Sequence, residues 1–218
     1  MIVFSNLAIS LDGKIADRSF PSRSLGTPYD RRMMQNIRNR ADVVIIGSKT
    51  LETMKKPAKK TKDKASFSEL VNAVVTSSGK LPKNIPFWND NTVIRYVFTT
   101  QKGYRNALDS CKDRAFVVIA GESKVEIPKL LKVLAQCNLN KVLVEGGGDL
   151  MASFAEANSL NELYVTLTPW LIGGAANPTL IDGVGLKKWL PLRLKSLKRV
   201  GNELYFHYHV SGKRSKNG

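Results

Sequence analysis

Lys141-Val-Leu-Val-Glu-Gly-Gly-Gly-Asp-Leu-Met-Ala-Ser-Phe154 is the stretch whose reading decides the fold. Val142, Leu143 and Val144 form a short apolar run of the kind that makes a buried strand. The run ends on an acid, Glu145, followed by three glycines and then a helical pattern. Asp149 reads as the N-cap of that helix, and Leu150 and Phe154, four apart, share one face. A strand feeding a glycine turn that opens a helix suits an anion, because glycine lets the backbone approach and the first helical N–H groups point outward. Glu145 would then stand at the strand's carboxyl end, where open α/β sheets bind ligands. Taken locally, a plain helix start after a flexible turn explains the stretch equally well. The G-x-G-x-x-G dinucleotide pattern is absent.

The same alternation extends on both sides. Strand 115–120, helix 127–137 with Leu130, Leu131 and Leu134 inward, strand 141–145, helix 149–158 and strand 161–168 are βαβ units, which require a parallel sheet. Towards the N-terminus, residues 2–10 read as a first strand and 17–27 as a surface loop. Thr27 before Pro28 opens a helix from Pro28 to Arg40, with Met33, Met34 and Ile37 on its inner side. Ala41 to Gly47 is a near-continuous apolar strand. Residues 52–66 are lysine-rich and predict a mobile loop. Strands over 70–76 and 92–99 flank a loop holding Gly79, Pro82 and Pro86, and 102–112 gives a short helix. Leu194–Val200 and Leu204–Val210 around Gly201-Asn202-Glu203 predict a hairpin. The expected architecture is one α/β domain over 1–212, with a mostly parallel sheet flanked by helices, a final antiparallel hairpin, and a basic tail at 213–218.

With 218 residues, 43% hydrophobic and 24% charged, the chain has the composition of an ordinary globular protein. No apolar run is long enough to span a membrane, and Met1-Ile2-Val3-Phe4 carries no secretory leader pattern. Cys111 and Cys137 form no disulfide framework and no C-x-x-C motif, which predicts a cytoplasmic protein. The net charge of +16, densest at 55–64, 187–199 and 213–216, favours anionic partners. A basic nucleic-acid-binding module is one alternative that this charge supports, but no recognised motif or aromatic platform accompanies it.

Several chemistries are excluded. His207 and His209 point to one face of the last strand without a third ligand, and no His/Cys cluster has zinc spacing. The zinc deaminase signature, the nucleophile elbow and the phosphate loop of P-loop enzymes are all missing. What remains is three glycine-bearing turns at strand ends: Asp12-Gly13-Lys14, Gly47-Ser48-Lys49-Thr50 and Glu145-Gly146-Gly147-Gly148. In a parallel sheet these gather on one edge and line one cleft, suited to a phosphorylated cofactor and a polar substrate.

Ser10-Leu-Asp-Gly-Lys-Ile-Ala16, Ile37-Arg38 before Ala41-Asp42, Val44-Ile-Ile-Gly47 with Thr50, Leu143-Val-Glu-Gly-Gly147 and Pro169-Trp-Leu-Ile-Gly-Gly174 occur in an order and spacing that resembles a known family. It is the pyrimidine reductase of riboflavin biosynthesis, the C-terminal half of the bifunctional deaminase–reductase, with a dihydrofolate reductase-like fold. The resemblance spans about residues 2–210. It implies a homodimeric enzyme that uses NADPH to reduce the ribosylamino side chain of a phosphorylated aminopyrimidine at C1′ of the sugar. By this resemblance Thr50, Gly47 and the run from Gly146 through Gly147, Gly148, Asp149, Leu150 and Met151 to Ser153 bind NADPH. Ala8 and Ser24 lie beside the nicotinamide, and Ser77 lies near the adenosine. Ser22, Arg38 and Glu145 contact substrate, and Lys14 takes a sugar-binding or proton-handling role, so that Lys14 and Glu145 are the catalytic pair. A related reductase with another carbonyl, imine or pterin-like substrate is the alternative within the fold. The chain departs from the family where an Asp-Asp-Pro…Leu-Thr…Arg segment is usual: Leu51 to Thr61 keeps Pro57 but has lysines 55, 56, 59 and 60 in place of the acids and the arginine. Lysine offers a phosphate charge without arginine's bidentate geometry.

Overall fold

Apolar runs with no alternation make strands that need cover on both faces, and the described residues supply five α-helices to provide it. The computed structural model describes residues 1–19, 24–61 and 69–211. In chain order the elements are β1 (Ile2–Ile9), α1 (Pro28–Asn39), β2 (Val43–Gly47), α2 (Ser48–Met54), β3 (Val71–Val75), β4 (Arg95–Thr99) and α3 (Tyr104–Cys111). Then follow β5 (Phe116–Ile119), α4 (Ile127–Gln136), β6 (Lys141–Val144), α5 (Gly148–Glu156), β7 (Glu162–Leu167), β8 (Leu192–Val200) and β9 (Glu203–Val210). The nine strands form one sheet in the order β5-β4-β3-β2-β6-β1-β7-β9-β8. All pairings among β1 to β7 are parallel, while β9 runs antiparallel to β7 and to β8. The mostly parallel sheet flanked by helices and closed by an antiparallel hairpin is thus as expected from the sequence.

Side chains alternate across the sheet and build two cores. Val43 and Ile45 of β2 face a core with Leu130 and Leu134 of α4 and Leu150, Met151 and Phe154 of α5. Val44 and Ile46 face the other, with Ile37 of α1, Leu51 of α2, Ala107 and Cys111 of α3, and the fully buried Phe87 and Trp88. The chain thus places α1, α2 and α3 on one face and α4 and α5 on the opposite one.

That division fixes where a ligand can sit. β1 leads through α1 to β2 on one side, and the neighbouring β6 leads through α5 to β7 on the other side. Right-handed crossovers running in opposite directions must lie on opposite faces. The carboxyl ends of β1 and β6 are consequently a topological switch point, where the connections diverge and leave a crevice.

Three local expectations are corrected. The N-cap of α5 is Gly147, not Asp149, and it makes no side-chain capping bond; Asp149 lies inside the first turn. The extended Gly147 lets the helix start one residue early, which leaves the Asp149 side chain to Lys49. The lysine-rich segment is held as far as Thr61. The Asn72 amide clamps the backbone of Ala58, accepting from its N–H at 2.8 Å and donating to its carbonyl at 3.0 Å, and Gln35 donates to the Lys59 carbonyl at 2.8 Å. The rest of that segment, 62–66, and the basic tail lie outside the described residues. In the hairpin only Gly201 and Asn202 turn, since Val200 pairs with Glu203, and Gly201 has φ +60° as a type II′ turn needs.

Phe154 is wholly buried between α5 and the sheet. Phe154→Ala should lower unfolding stability by about 3–5 kcal/mol, read from urea melts with an unchanged denaturant slope.

Candidate active site

A cleft of about 850 Å³ opens over the switch point. Its floor comes from Asn6, Leu7 and Ala8 of β1 and from Glu145 to Asp149 after β6. Its walls include Asp30, Met34 and Arg38 of α1, and Lys49, Thr50 and Thr53 of α2. The spacing of four puts the three α1 residues on one helical stripe facing the cleft.

Arg38 and Glu145 meet at the floor. Arg38 Nε donates to Glu145 Oε1 at 2.8 Å and Oε2 at 3.1 Å, and Nη2 donates to Oε2 at 2.6 Å. Both side chains are nearly buried, 13% and 8% exposed. This forked, charge-assisted contact fixes the carboxylate plane and leaves its outward lone pairs to accept N–H donors from a ligand. Two residues that the sequence assigns separately to substrate are one unit.

Beside them lies the start of α5. The N–H groups of Gly148 and Asp149 have no intrahelical acceptor, and the helix dipole favours an anion there. A Cβ on Gly147 would meet nothing within 4 Å, so the backbone is open to a close approach from the cleft. A Cβ on Gly148 would sit 2.5 Å from the Asp182 carboxyl group and from the Thr179 carbonyl, and one on Gly146 would strike Leu150. The turn therefore needs glycine on its packed side and offers an open cradle on its cleft side, which fits a phosphate group. Lys49 Nζ pairs with Asp149 at 3.0 Å, neutralising the one acid in that first turn.

The mouth is braced by a residue with a role that the sequence does not betray. Asp12 accepts from the Ser10 hydroxyl at 2.7 Å and from the N–H groups of Ile172 at 3.0 Å and Gly173 at 2.7 Å. It so ties the turn after β1 to the Pro169–Gly174 segment after β7. The Ser10 hydroxyl and the two N–H groups hold its carboxyl down at about 2. The clasp contributes above the unfolded carboxylate value and is lost only as pH falls through about 2.

Ala8, Ser24, Arg38, Thr50, Glu145, Gly146, Gly147, Gly148 and Asp149 are brought to this one cleft. Others lie elsewhere. Ser22 falls outside the described residues. Lys14 does not line the cleft; its Nζ donates to the carbonyl of the rim residue Asn177 at 3.4 Å. Gly47 caps α2 behind the lining residues, and Leu150 and Met151 are buried in the core under the turn. Ser77 faces a second cavity of about 660 Å³, bounded by α4, α5 and residues 186–191. Lysines 55, 56, 59 and 60 do not line the cleft, and Lys59 is held by Asp90 at 2.5 Å. His207 and His209 lie on one face near Glu162, far from the cleft in the sheet; His207 Nε2 is 3.3 Å from Glu162 Oε2 but is not aimed to form a hydrogen bond. Among the described residues no cluster could hold a metal ion.

Asn6, Asp17, Arg18, Asp30, Met34, the 175–178 loop and Asp182 also line the cleft and were not anticipated. A signal existed for two of them: Asp30 and Met34 precede Arg38 at helical spacing. The loop residues carry no periodic pattern.

Residues 1–206 match the family model of the RibD C-terminal domain. The chain is 29% identical over 208 residues to an Archaeoglobus fulgidus protein named 2,5-diamino-6-ribosylamino-4(3H)-pyrimidinone 5′-phosphate reductase, covering 91% of this chain and 93% of that one. Among solved structures, a pyrimidine reductase-like protein from Corynebacterium diphtheriae superposes with a TM-score of 0.84 at 17% identity, covering 96% of this chain and 91% of the other. Dihydrofolate reductase from Enterococcus faecalis shares the fold more distantly, with a TM-score of 0.54 at 11% identity over 97% of each chain. With the family model covering nearly the whole length, the chain belongs to the RibD C-terminal domain family.

Proposed function

We propose that this protein uses NADPH to reduce the ribosylamino side chain of a phosphorylated aminopyrimidine to a ribitylamino one, a step of riboflavin biosynthesis. The observation that carries this reading is the forked Arg38–Glu145 pair set beside an open glycine cradle at the switch point. The name of the Archaeoglobus relative supplies the substrate class. In the reaction, the sugar's C1′–O4′ bond breaks as the amine nitrogen forms a C1′=N bond, and O4′ takes a proton. A hydride then enters C1′, and the C=N electron pair returns to nitrogen. One hydride and one proton are consumed per turnover.

NADPH supplies the hydride when bound. The N–H groups of Gly148 and Asp149 would hold its phosphates, with Thr50 on the wall of the same cleft. Ala8 and Ser24 would bind its nicotinamide end, and Ser77, in the second cavity, would bind its adenosine end. Glu145, held by Arg38, accepts from the pyrimidine's amino groups and orients the sugar towards β1. Lys14 acts at one remove by holding Asn177 at the rim. The positive field of the chain draws in the anionic ligands. Two free cysteines suit a reducing cytoplasm.

The active form is a homodimer joined through β8. This edge strand exposes Leu192, Leu194 and Leu197 together with an unpaired row of backbone groups. Light scattering should give twice the chain mass, and Leu194→Glu with Leu197→Glu should give the monomer; a wild-type monomer would refute this.

The deciding assay is loss of NADPH absorbance with the phosphorylated ribosylaminopyrimidine, with one ribitylamino product per NADPH consumed. No oxidation above the substrate-free rate would sink the reductase reading. Gly147→Ala should fold as well as wild type, because its Cβ meets open space, yet weaken NADPH binding about tenfold. Unchanged affinity in titrations of tryptophan fluorescence would remove the cradle from the cofactor site.

A further inference from the structure

Asp30 stands at the third position of α1, behind an N-cap threonine. An acid there normally closes a capping box by accepting the N–H of the cap residue. Here that donor is taken. Glu203, reaching across from β9, accepts both the Thr27 N–H at 2.9 Å and the Thr27 hydroxyl at 2.6 Å, and the Tyr205 hydroxyl as well. Glu203 is thereby satisfied in its buried position, and the Asp30 carboxyl is released from capping. It turns to the cleft, where it packs against Gly26 so closely that a Cβ on Gly26 would overlap it.

The surroundings of Asp30 favour its acid form. α1 contributes Arg31, β9 contributes Glu203 and Tyr205, and β7 contributes only the uncharged Thr166, whose strand position pairs with Ala8. β1 brings no charge at Asn6, Leu7 and Ala8, and along the helix stripe Arg38 is already committed to Glu145. Of the remaining charged groups of the cleft, Asp17, Arg18, Lys49 and Asp182 stand on the loop and helix walls, and Asp149, in the floor, pairs with Lys49. Burial, the largest effect, pushes the Asp30 carboxyl up and Glu203 adds to that, against the Thr166 hydrogen bond and the Arg31 charge, which favour the carboxylate. Lys14, by contrast, points to the rim.

Resting on the reductase reading, we propose that Asp30 is the proton donor of the reaction, giving its carboxyl proton to O4′ as the C1′–O4′ bond opens. The carboxylate that remains recovers a proton from solvent, so the residue is unchanged over a turnover. Gly26 is the positioning residue that leaves room for the carboxyl, and Glu203 frees it from the helix cap.

Because folding raises the Asp30 pKa, ionisation at neutral pH costs stability, and an amide removes that cost. Asp30→Asn should therefore lower kcat by about 100-fold or more, remove the alkaline limb of its pH profile, leave the NADPH Kd unchanged and hold or raise Tm. Gly26→Ala, which displaces the carboxyl without removing it, should lower kcat with NADPH Kd equally unchanged. Turnover of either variant within about threefold of wild type overturns the assignment. So does a loss in Asp30→Asn that comes with a lower Tm and weaker NADPH binding, since that is the signature of packing. Wild-type protein that oxidises no NADPH with this substrate overturns the reductase reading itself, and the proton role with it.

Discussion

A guanidinium and a carboxylate taken out of water together are tolerated only where their geometry is good, and Arg38 with Glu145 meets that condition. The pair ties α1, on one face of the sheet, to the turn that follows β6 and opens α5 on the other face. Removing one partner would leave an uncompensated charge near the floor of the cleft, a loss of about 3–5 kcal/mol in comparable buried pairs. The contact therefore sets the distance between the two walls. It also gives the cleft a carboxylate with a fixed plane, beside a helix start that attracts phosphate.

That arrangement depends on the sheet order. β6 inserts between β2 and β1, so the crossovers from β1 and β6 leave in opposite directions. The crevice between them is lined by a strand end, two helix starts and α1. The remaining strands add little to the chemistry: β3, β4 and β5 widen the platform, while β9 contributes through Glu203, which relieves Asp30 of its capping duty. Asp12 then closes the mouth by clasping the segment after β7.

Much of this was legible in the residues because burial writes itself into pattern. The apolar runs at 43–47 and 142–144 read as buried strands and the β-branched run at 71–75 as a strand, whereas the glycine turn taken alone fitted a plain helix start as well as a close backbone approach. The family motifs then assigned Arg38, Glu145 and the turn to one cleft. Contacts between distant polar side chains left no such trace. Nothing local says that Asn72 clamps Ala58, that Asp12 reaches Ile172, or that Glu203 occupies the cap of α1. Lys14 shows the converse case. Its motif suggests chemistry but does not say that its backbone bridges to Thr179 or that its Nζ donates to the Asn177 carbonyl at the rim of the cleft.

The most direct test of the Arg38–Glu145 unit is a double-mutant cycle on kcat/KM for NADPH oxidation, using Arg38→Met, Glu145→Gln and both together. If the pair works as one device, each single variant should lose about 100-fold or more, and the double variant should fall within about threefold of the worse single one. Losses that multiply across the cycle would show two independent contributions and contradict the shared role.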